Sequence, residues 1–372
     1  MHTLIDVKDN DLQKFEFDDP FNTHYIQGYI CKKLDYRYGC LIITKVNEWE
    51  CQQIIYGTPK LHYPFNKVGK FNFPYLIDEI QIYEKLDGTN ILGYIYKYKD
   101  KEFITFKTRI TPTLLDGVYG SFYQMWNELI KKNSWIIQTI KDNPQYNISF
   151  EMYGKRNPIL IDYDVLLDTK ILFGIHKETH EIIPPTELKI QNTSQYSNIL
   201  LLDGSNTIDM YLRARSISYQ KIKNSNTYTT EGHVFYVHTD SKWVMYKCKP
   251  EQIEAIHWAN GGIGKNIIWT TILNCFEEYS YPTVENVIEL LKEEFTDHQL
   301  KGIDERVEKL LKDAYIHQRK VSKINNIWEL AEEKGFDIRK NKNETMKFVS
   351  QYFDKSEMKF VGTIILRQVG LI

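Results

Sequence analysis

Strong charge of either sign is missing from this chain. Its 372 residues carry 47 Lys and Arg against 49 Asp and Glu, a formal net charge of −2. No global field marks a nucleic-acid binder, so any polyanion must be met by local clusters of cations. Cysteine is also scarce. The five thiols, Cys31, Cys40, Cys51, Cys248 and Cys275, include no Cys-x-x-Cys pair. That excludes the usual zinc-ribbon spacing and fits reduced thiols in a cytoplasmic protein. No apolar run approaches membrane-spanning length, and the first residues, Met-His-Thr-Leu-Ile-Asp, lack the features of a secretory signal. Repeats and low-complexity tracts are absent. Only residues 336–345 stand out, as a charged stretch expected to be an exposed connector.

What is present is a hydrophobic content of 42%, enough for ordinary cores in a chain expected to form two domains. The most informative run is Glu84-Lys85-Leu86-Asp87-Gly88-Thr89-Asn90, directly after the alternating strand pattern Ile80-Gln81-Ile82-Tyr83. It places a lysine at a strand end, beside an Asp-Gly turn that lets the backbone approach closely. Such a lysine can be a covalent nucleophile if its ammonium is driven toward the neutral amine. Far downstream come Thr230-Glu231-Gly232-His233 and the strand pattern Val244-Met245-Tyr246-Lys247-Cys248-Lys249. Lys247 and Lys249, two apart, project from one face of a strand, where an anion such as phosphate relieves their repulsion. Glu231 can hold a divalent cation against such an anion.

In this order, the pieces resemble the covalent nucleotidyltransferases: polynucleotide ligases and mRNA capping guanylyltransferases. Lys85-Leu-Asp-Gly88 is similar to the nucleophile motif of that family, Glu231-Gly-His-Val234 to its acidic strand, and Lys247-Cys-Lys249 to its final lysine motif. Ser149-Phe150-Glu151-Met152-Tyr153-Gly154 resembles the motif whose glutamate meets the nucleotide ribose. Ile171-Leu172-Phe173-Gly174 resembles the strand whose aromatic ring stacks on the purine, although Phe173 also sits in an apolar run where core packing is the ordinary fate. In that family a basic residue is expected a little over twenty residues past the nucleophile, and either Arg109 or Lys107 fills that place. His233 stands where the family commonly has a small or apolar residue, and packing is the usual fate of a lone strand histidine.

The resemblance implies an α+β fold: an antiparallel-sheet nucleotidyltransferase domain over residues 1–250, followed by a helical domain over 251–372. Strands are expected across 25–110 and at 147–153, 159–166, 170–176, 233–238 and 242–248, with a helix over 119–142. In the second half, Thr283 caps a helix running through Leu291. Apolar periodicity predicts another over 303–317, with shorter helices at Ile327–Ala331 and Met346–Phe353. DNA ligases and capping enzymes generally carry a barrel of strands at this point. A helical tail resembles the phage and archaeal ATP-dependent RNA ligases instead, as does Tyr56-Gly57-Thr58-Pro59-Lys60.

That branch implies ATP with Mg²⁺ or Mn²⁺ as cofactors, and RNA 5′-phosphate and 3′-hydroxyl ends as partners. By resemblance Lys85, Glu231, Lys247 and Lys249 are catalytic, with Glu231 at the metal. Glu84, Asp87, Gly88, Arg109, Glu151, Phe173 and Lys60 contact the nucleotide. The rival readings are a DNA ligase, a GTP-using capping enzyme, and a non-catalytic RNA-binding module in which the lysines only hold phosphates. Clusters at Lys97/Lys99/Lys101, Lys155/Arg156, Arg213/Arg215 and Lys221/Lys223, with 26 tyrosines, offer further phosphate and base contacts. Oligomeric state, monomer or homodimer, is left open.

Overall fold

Alternating apolar and polar residues sort the first half of the chain into antiparallel ladders. The computed structural model describes residues 7–66, 69–204, 206–225, 229–250, 263–293, 295 and 297–371. Strands β1 (Leu12–Asp18), β2 (Tyr25–Cys31), β3 (Leu41–Val46) and β4 (Trp49–Ile55) form a four-stranded sheet in sequential order. Its buried residues Ile26, Leu41, Ile43 and Val46 pack on Tyr94 and Tyr96, which belong to the next sheet.

That second sheet is the scaffold of the molecule. β5 is Glu79–Glu84, β6 Thr89–Tyr98 and β7 Lys101–Lys107. A two-strand hairpin, β8 (Asp116–Gly117) and β9 (Gly120–Ser121), follows, and then β10 (Tyr146–Tyr153), β11 (Asp168–His176) and β12 (Ile182–Ile183). Five of them pair in the order β12-β11-β10-β6-β7. Because side chains alternate across a strand, the two faces serve different partners. Ile91, Ile148, Phe150 and Met152 face α1 (Phe122–Lys132) and α2 (Trp135–Asp142), where Trp126, Leu129, Ile136 and Ile140 cover them. Burial of each such side chain is worth roughly 1.5–3 kcal/mol. On the other face, Leu92, Phe173 and Ile175 meet Tyr83, Val234, Tyr236 and Met245. These last belong to a three-stranded sheet, β14-β13-β5, with β13 at His233–Thr239 and β14 at Lys242–Cys248. The α+β class with antiparallel sheets and a helical C-terminal region is therefore as expected.

Several local expectations need correction. Residues 119–142 are two helices, not one: Ser121 caps the first, and Asn133, at φ −126°, ends it. Residues 159–166 form no strand. The amides of Leu160 and Ile161 bond the Asp87 carboxylate, so they are not offered to a neighbouring ladder. Helix α3 (Thr207–Ser225) was not foreseen. It lays Tyr211, Ala214 and Ser218, at i, i+3 and i+7, against the three-stranded sheet, with Tyr211 and Ala214 beside Phe235 and Val237. Arg213, Arg215, Lys221 and Lys223 all lie on this helix, and Lys97 and Lys99 pair with Glu102 and Glu48 around the β6–β7 turn.

Beyond residue 262 the described chain is helical: α4 (Lys265–Glu278), α5 (Val284–Lys292), α6 (Asp297–Leu300), α7 (Asp304–Glu333), α8 (Lys342–Val349) and α9 (Met358–Gln368). Thr283 forms a capping box with Asn286, as its position predicts. The segments expected at 303–317 and 327–331 are one unbroken helix, α7, and residues 342–345 of the supposed connector start α8. One end of α7 packs through Val307, Leu310, Leu311 and Ala314 on α4 and α5. Its other end packs through Val321, Ile324 and Trp328 on α8 and α9. Between them Gln318 donates to the Asp116 carbonyl at 3.0 Å, and next to the second stretch Glu329 accepts from Gln124 of α1 at 2.9 Å. The expected boundary at 250/251 adjoins residues 251–262, outside the described residues. No helix among the described residues is long and apolar enough to cross a membrane.

Candidate active site

The Lys85–Gly88 run is the crossing from the three-stranded sheet to the five-stranded one, β5 to β6. A lysine there faces the cleft between the sheets. Its backbone amide bonds the Gly232 carbonyl at 2.9 Å, which fixes it against the Glu231 segment. Gly232 has φ +122°, and a Cβ there would lie 2.1 Å from the Cys248 carbonyl oxygen, so only glycine brings Glu231 this close to β14. Gly88 is equally confined, its would-be Cβ 2.3 Å from the Met152 carbonyl oxygen.

The result is a bridged trio. Lys85 Nζ donates to Glu231 Oε2 at 2.5 Å, and Lys249 Nζ lies 3.1 Å from Glu231 Oε1. Burial pushes the Glu231 carboxyl up, but the two ammoniums outweigh it and hold the group below its ordinary range. Lys247 also lines the cleft, its ammonium 4.3 Å from the centre of the Tyr63 ring.

A cavity of about 630 Å³ opens over this trio, within the range of small-molecule sites. Every candidate from the sequence borders it: Lys60, Glu84, Asp87, Gly88, Arg109, Glu151 and Phe173 join the four catalytic candidates there. Glu84 accepts from Asn198 at 3.2 Å. Phe173 is buried in the inter-sheet core and also lines the cavity, as does its neighbour Leu172. Asp87 accepts the Leu160 and Ile161 amides at 2.6 and 2.7 Å, and its own amide bonds Tyr163 Oη at 2.8 Å.

Lys107 and Arg109 are placed differently. Lys107 is wholly buried, and its Nζ donates to the carbonyls of Thr108 and Arg109, each at 2.7 Å. Desolvation drives its pKa down to about 7. It is a structural strut, whereas Arg109 borders the cavity. His233 is buried and hydrogen-bonded to Ser218 at 3.0 Å, and burial pushes its pKa down to about 4. It is the packed imidazole that its strand position foretold.

Sequence reasoning missed the acids that α4 brings to the same cavity. Glu277 accepts from Thr89 at 2.8 Å, and Glu278 sits 3.4 Å from Arg109 and 3.1 Å from Tyr38 Oη. One signal was available: two glutamates ending a helix oppose its dipole, which calls for a cation nearby. Among the described residues no group of three or more His, Cys, Asp or Glu is arranged to hold a metal ion. Glu231 is a single carboxylate already shared by two lysines, so it fits a divalent ion only as one ligand among others, such as phosphate oxygens.

Carboxylates crowd this low-dielectric space. Burial raises Glu151 to about 7, with Lys85 opposing and Glu231 and Asp87 adding to the rise. Burial, then Glu231, raises Asp87 to about 6. From about pH 4 to 7 the folded protein thus keeps protons that the unfolded chain has released, and stability falls as pH rises through that window. Glu151→Gln is expected to flatten that decline and to raise Tm at pH 8, by roughly 2–4 °C for each kcal/mol relieved. Melting curves from pH 5 to 8 check this, and an unaltered slope would place the decline elsewhere.

Fold and site together define an α+β protein whose strand-end lysine meets a second lysine across a buried glutamate, in a cleft closed by helices. No protein-family model and no curated protein matches the chain. Among solved structures it is similar to an archaeal ATP-dependent RNA ligase in two forms. One is 15% identical, covering 82% of this chain and 74% of that one, with a TM-score of 0.44. The other is 14% identical, covering 91% and 84%, with a TM-score of 0.47. It is also similar to a Naegleria gruberi RNA ligase variant with ATP and Mn, 16% identical over 47% of this chain and 50% of that one, with a TM-score of 0.32.

Proposed function

We propose that the protein is an ATP-dependent RNA ligase that joins 5′-phosphate and 3′-hydroxyl ends through a lysyl-AMP intermediate. The Lys85–Glu231–Lys249 trio at the floor of one cavity carries this reading. A solvated surface lysine has no need of a buried carboxylate shared with a second lysine. In this reading residues 1–250 form the adenylation domain, residues 251–372 the helical one, and the enzyme works in the cytoplasm.

Lys85 Nζ attacks the α-phosphorus of ATP. A P–N bond forms, the bond to the pyrophosphate oxygen breaks, and the amine gives up its proton. Since a free lysine titrates at about 10.4, the site must disfavour that proton, and the ammoniums of Lys249 and Lys247 in the same cavity do so, letting it pass to solvent as the P–N bond forms. Lys247 and Lys249 oppose the negative charge that builds on the phosphoryl oxygens. A bound divalent ion, held through Glu231 and phosphate oxygens, would add Lewis-acid stabilisation of that charge. Glu151 meets the ribose hydroxyls, and Phe173 borders the base, with Glu84 near its edge. Arg109 and Lys60 hold phosphate oxygens. The 5′-phosphate of RNA then attacks the adenylyl phosphorus and releases Lys85. Finally the 3′-hydroxyl attacks the activated 5′-phosphate and expels AMP.

The test uses purified protein freed of bound AMP, α-labelled ATP and Mg²⁺ or Mn²⁺, with α-labelled GTP in parallel. An acid-labile adduct from ATP alone is expected. Label from GTP would move the protein to the capping enzymes. No label, with salt-sensitive RNA binding, would make it a binding module.

A further inference from the structure

The cavity's cations do not stand open. Lys85 and Lys249 share Glu231, which comes from the same pair of sheets. Arg109 and Lys60 are answered differently, by carboxylates from the helical half of the chain. Glu278, the last residue of α4, lies 3.4 Å from Arg109. Glu293, just past α5, pairs with Lys60. The two contacts are joined through Tyr38: its hydroxyl donates to Glu278 at 3.1 Å, and the Lys60 ammonium lies 4.6 Å from its ring centre. One residue before Glu278, the Glu277 carbonyl accepts from Thr108 at 2.6 Å while its carboxyl takes the Thr89 hydroxyl at 2.8 Å. The end of α4 is thereby seated on the strands that line the cavity.

We propose that Glu278 and Glu293 are intramolecular competitors for the cavity's phosphate-binding cations, so that a polyanionic ligand must displace both before Arg109 and Lys60 can hold it. The inference rests on the reading that this cavity takes a nucleoside triphosphate. Its physical basis is simple. Glu278 from a buried position and Glu293 from an exposed one already occupy the two cations, and whatever binds those cations must first displace them. A ligand therefore pays a conformational tax: its apparent affinity is its intrinsic affinity reduced by the fraction of molecules with the helices displaced.

The sign of the effect separates this device from its alternative. If Glu278 and Glu293 instead position Arg109 and Lys60, or ligate a metal on the bound phosphates, removing their charge must weaken binding. Glu278→Gln and Glu293→Gln, singly and combined, are read by the rate of adduct formation against ATP concentration in the full-length protein. The double variant is expected to lower the apparent KM by about 5- to 10-fold, a coupling of ordinary size, with the change in KM rather than in the rate at saturation. Hydrogen exchange across 284–292 on adding ATP should rise in the wild type and start high in the double variant. An unchanged or raised KM overturns the proposal. Glu293 is exposed, so its single variant gives the sign even if the Glu278 variant folds poorly. If the wild type forms no adduct, the ligase reading fails separately. Calorimetry with inorganic tripolyphosphate then decides the competitor question: tighter binding by the variants supports it, and equal or weaker binding overturns it.

Discussion

Lys85→Ala is expected to eliminate the labelled adduct entirely, a loss limited only by the detection floor. The other cavity lysines whose contacts are described are held elsewhere: Lys60 by Glu293 and Lys247 over the Tyr63 ring. Lys249 reaches the opposite oxygen of Glu231, and Lys107 is sealed behind backbone carbonyls. Lys85→Arg should fail equally, because a guanidinium stays protonated and makes a poor nucleophile. The alanine variant should still fold, since Glu231 keeps Lys249 and the Lys85 amide still bonds Gly232. It should also still join RNA supplied with a preformed 5′-adenylate, because that substrate already carries the activated phosphate. A labelled alanine variant would end the assignment. A variant unable to seal pre-adenylylated ends would mean that Lys85 serves the later steps too.

The second large effect belongs to Glu231→Gln. The amide keeps the shape but leaves Lys85 and Lys249 as neighbouring cations with no carboxylate between them. Breaking such a buried cluster costs on the order of 2–3 kcal/mol of stability, the low end because both ammoniums border a cavity. Adduct formation should fall by roughly 100-fold or more, the loss typical when a preorganised electrostatic group is removed. A competing effect has the opposite sign: losing the carboxylate favours the neutral amine of Lys85. A rate profile against pH weighs the two. If the freed amine dominated, the variant would outpace the wild type at low pH, and the assigned role of Glu231 would be wrong.

Legibility in the sequence followed a physical divide. Lys85, Asp87, Gly88, Glu231 and the Lys247/Lys249 pair were readable because short backbone patterns, a strand end with a tight turn or two side chains sharing a strand face, dictate where those groups point. They do converge on one cavity. The α5 helix was readable from its capping box. What stayed hidden depends on partners distant in sequence. Leu160 and Ile161 look like strand residues until Asp87 takes their amides. Lys107 and Arg109 are alike in pattern, and burial alone separates them. Glu277 and Glu278 carry no motif, so their place opposite Arg109 emerges only when α4 packs on the sheets. Helix α3 escaped because its inward stripe of Tyr211, Ala214 and Ser218 is weakly apolar.

The length of α7 has a mechanical consequence. Its 30 residues make a rod of about 45 Å, with the α4–α5 cap clamped to one end and the α8–α9 bundle to the other. Gln318, near its middle, bonds the Asp116 carbonyl of the hairpin, and Glu329, near its far end, is tied to α1 by Gln124. The rod is therefore held to the strand half at two points, and its α4–α5 end projects beyond both. A tilt of roughly 10° about Gln318 would swing the α4–α5 end by about 4 Å, given the rod's length, enough to part a hydrogen-bonded ion pair. A load applied to the far bundle, which grips α7 from Val321 to Trp328, is thus mechanically connected through the rod to the roof of the cavity, although no residue of that bundle borders it.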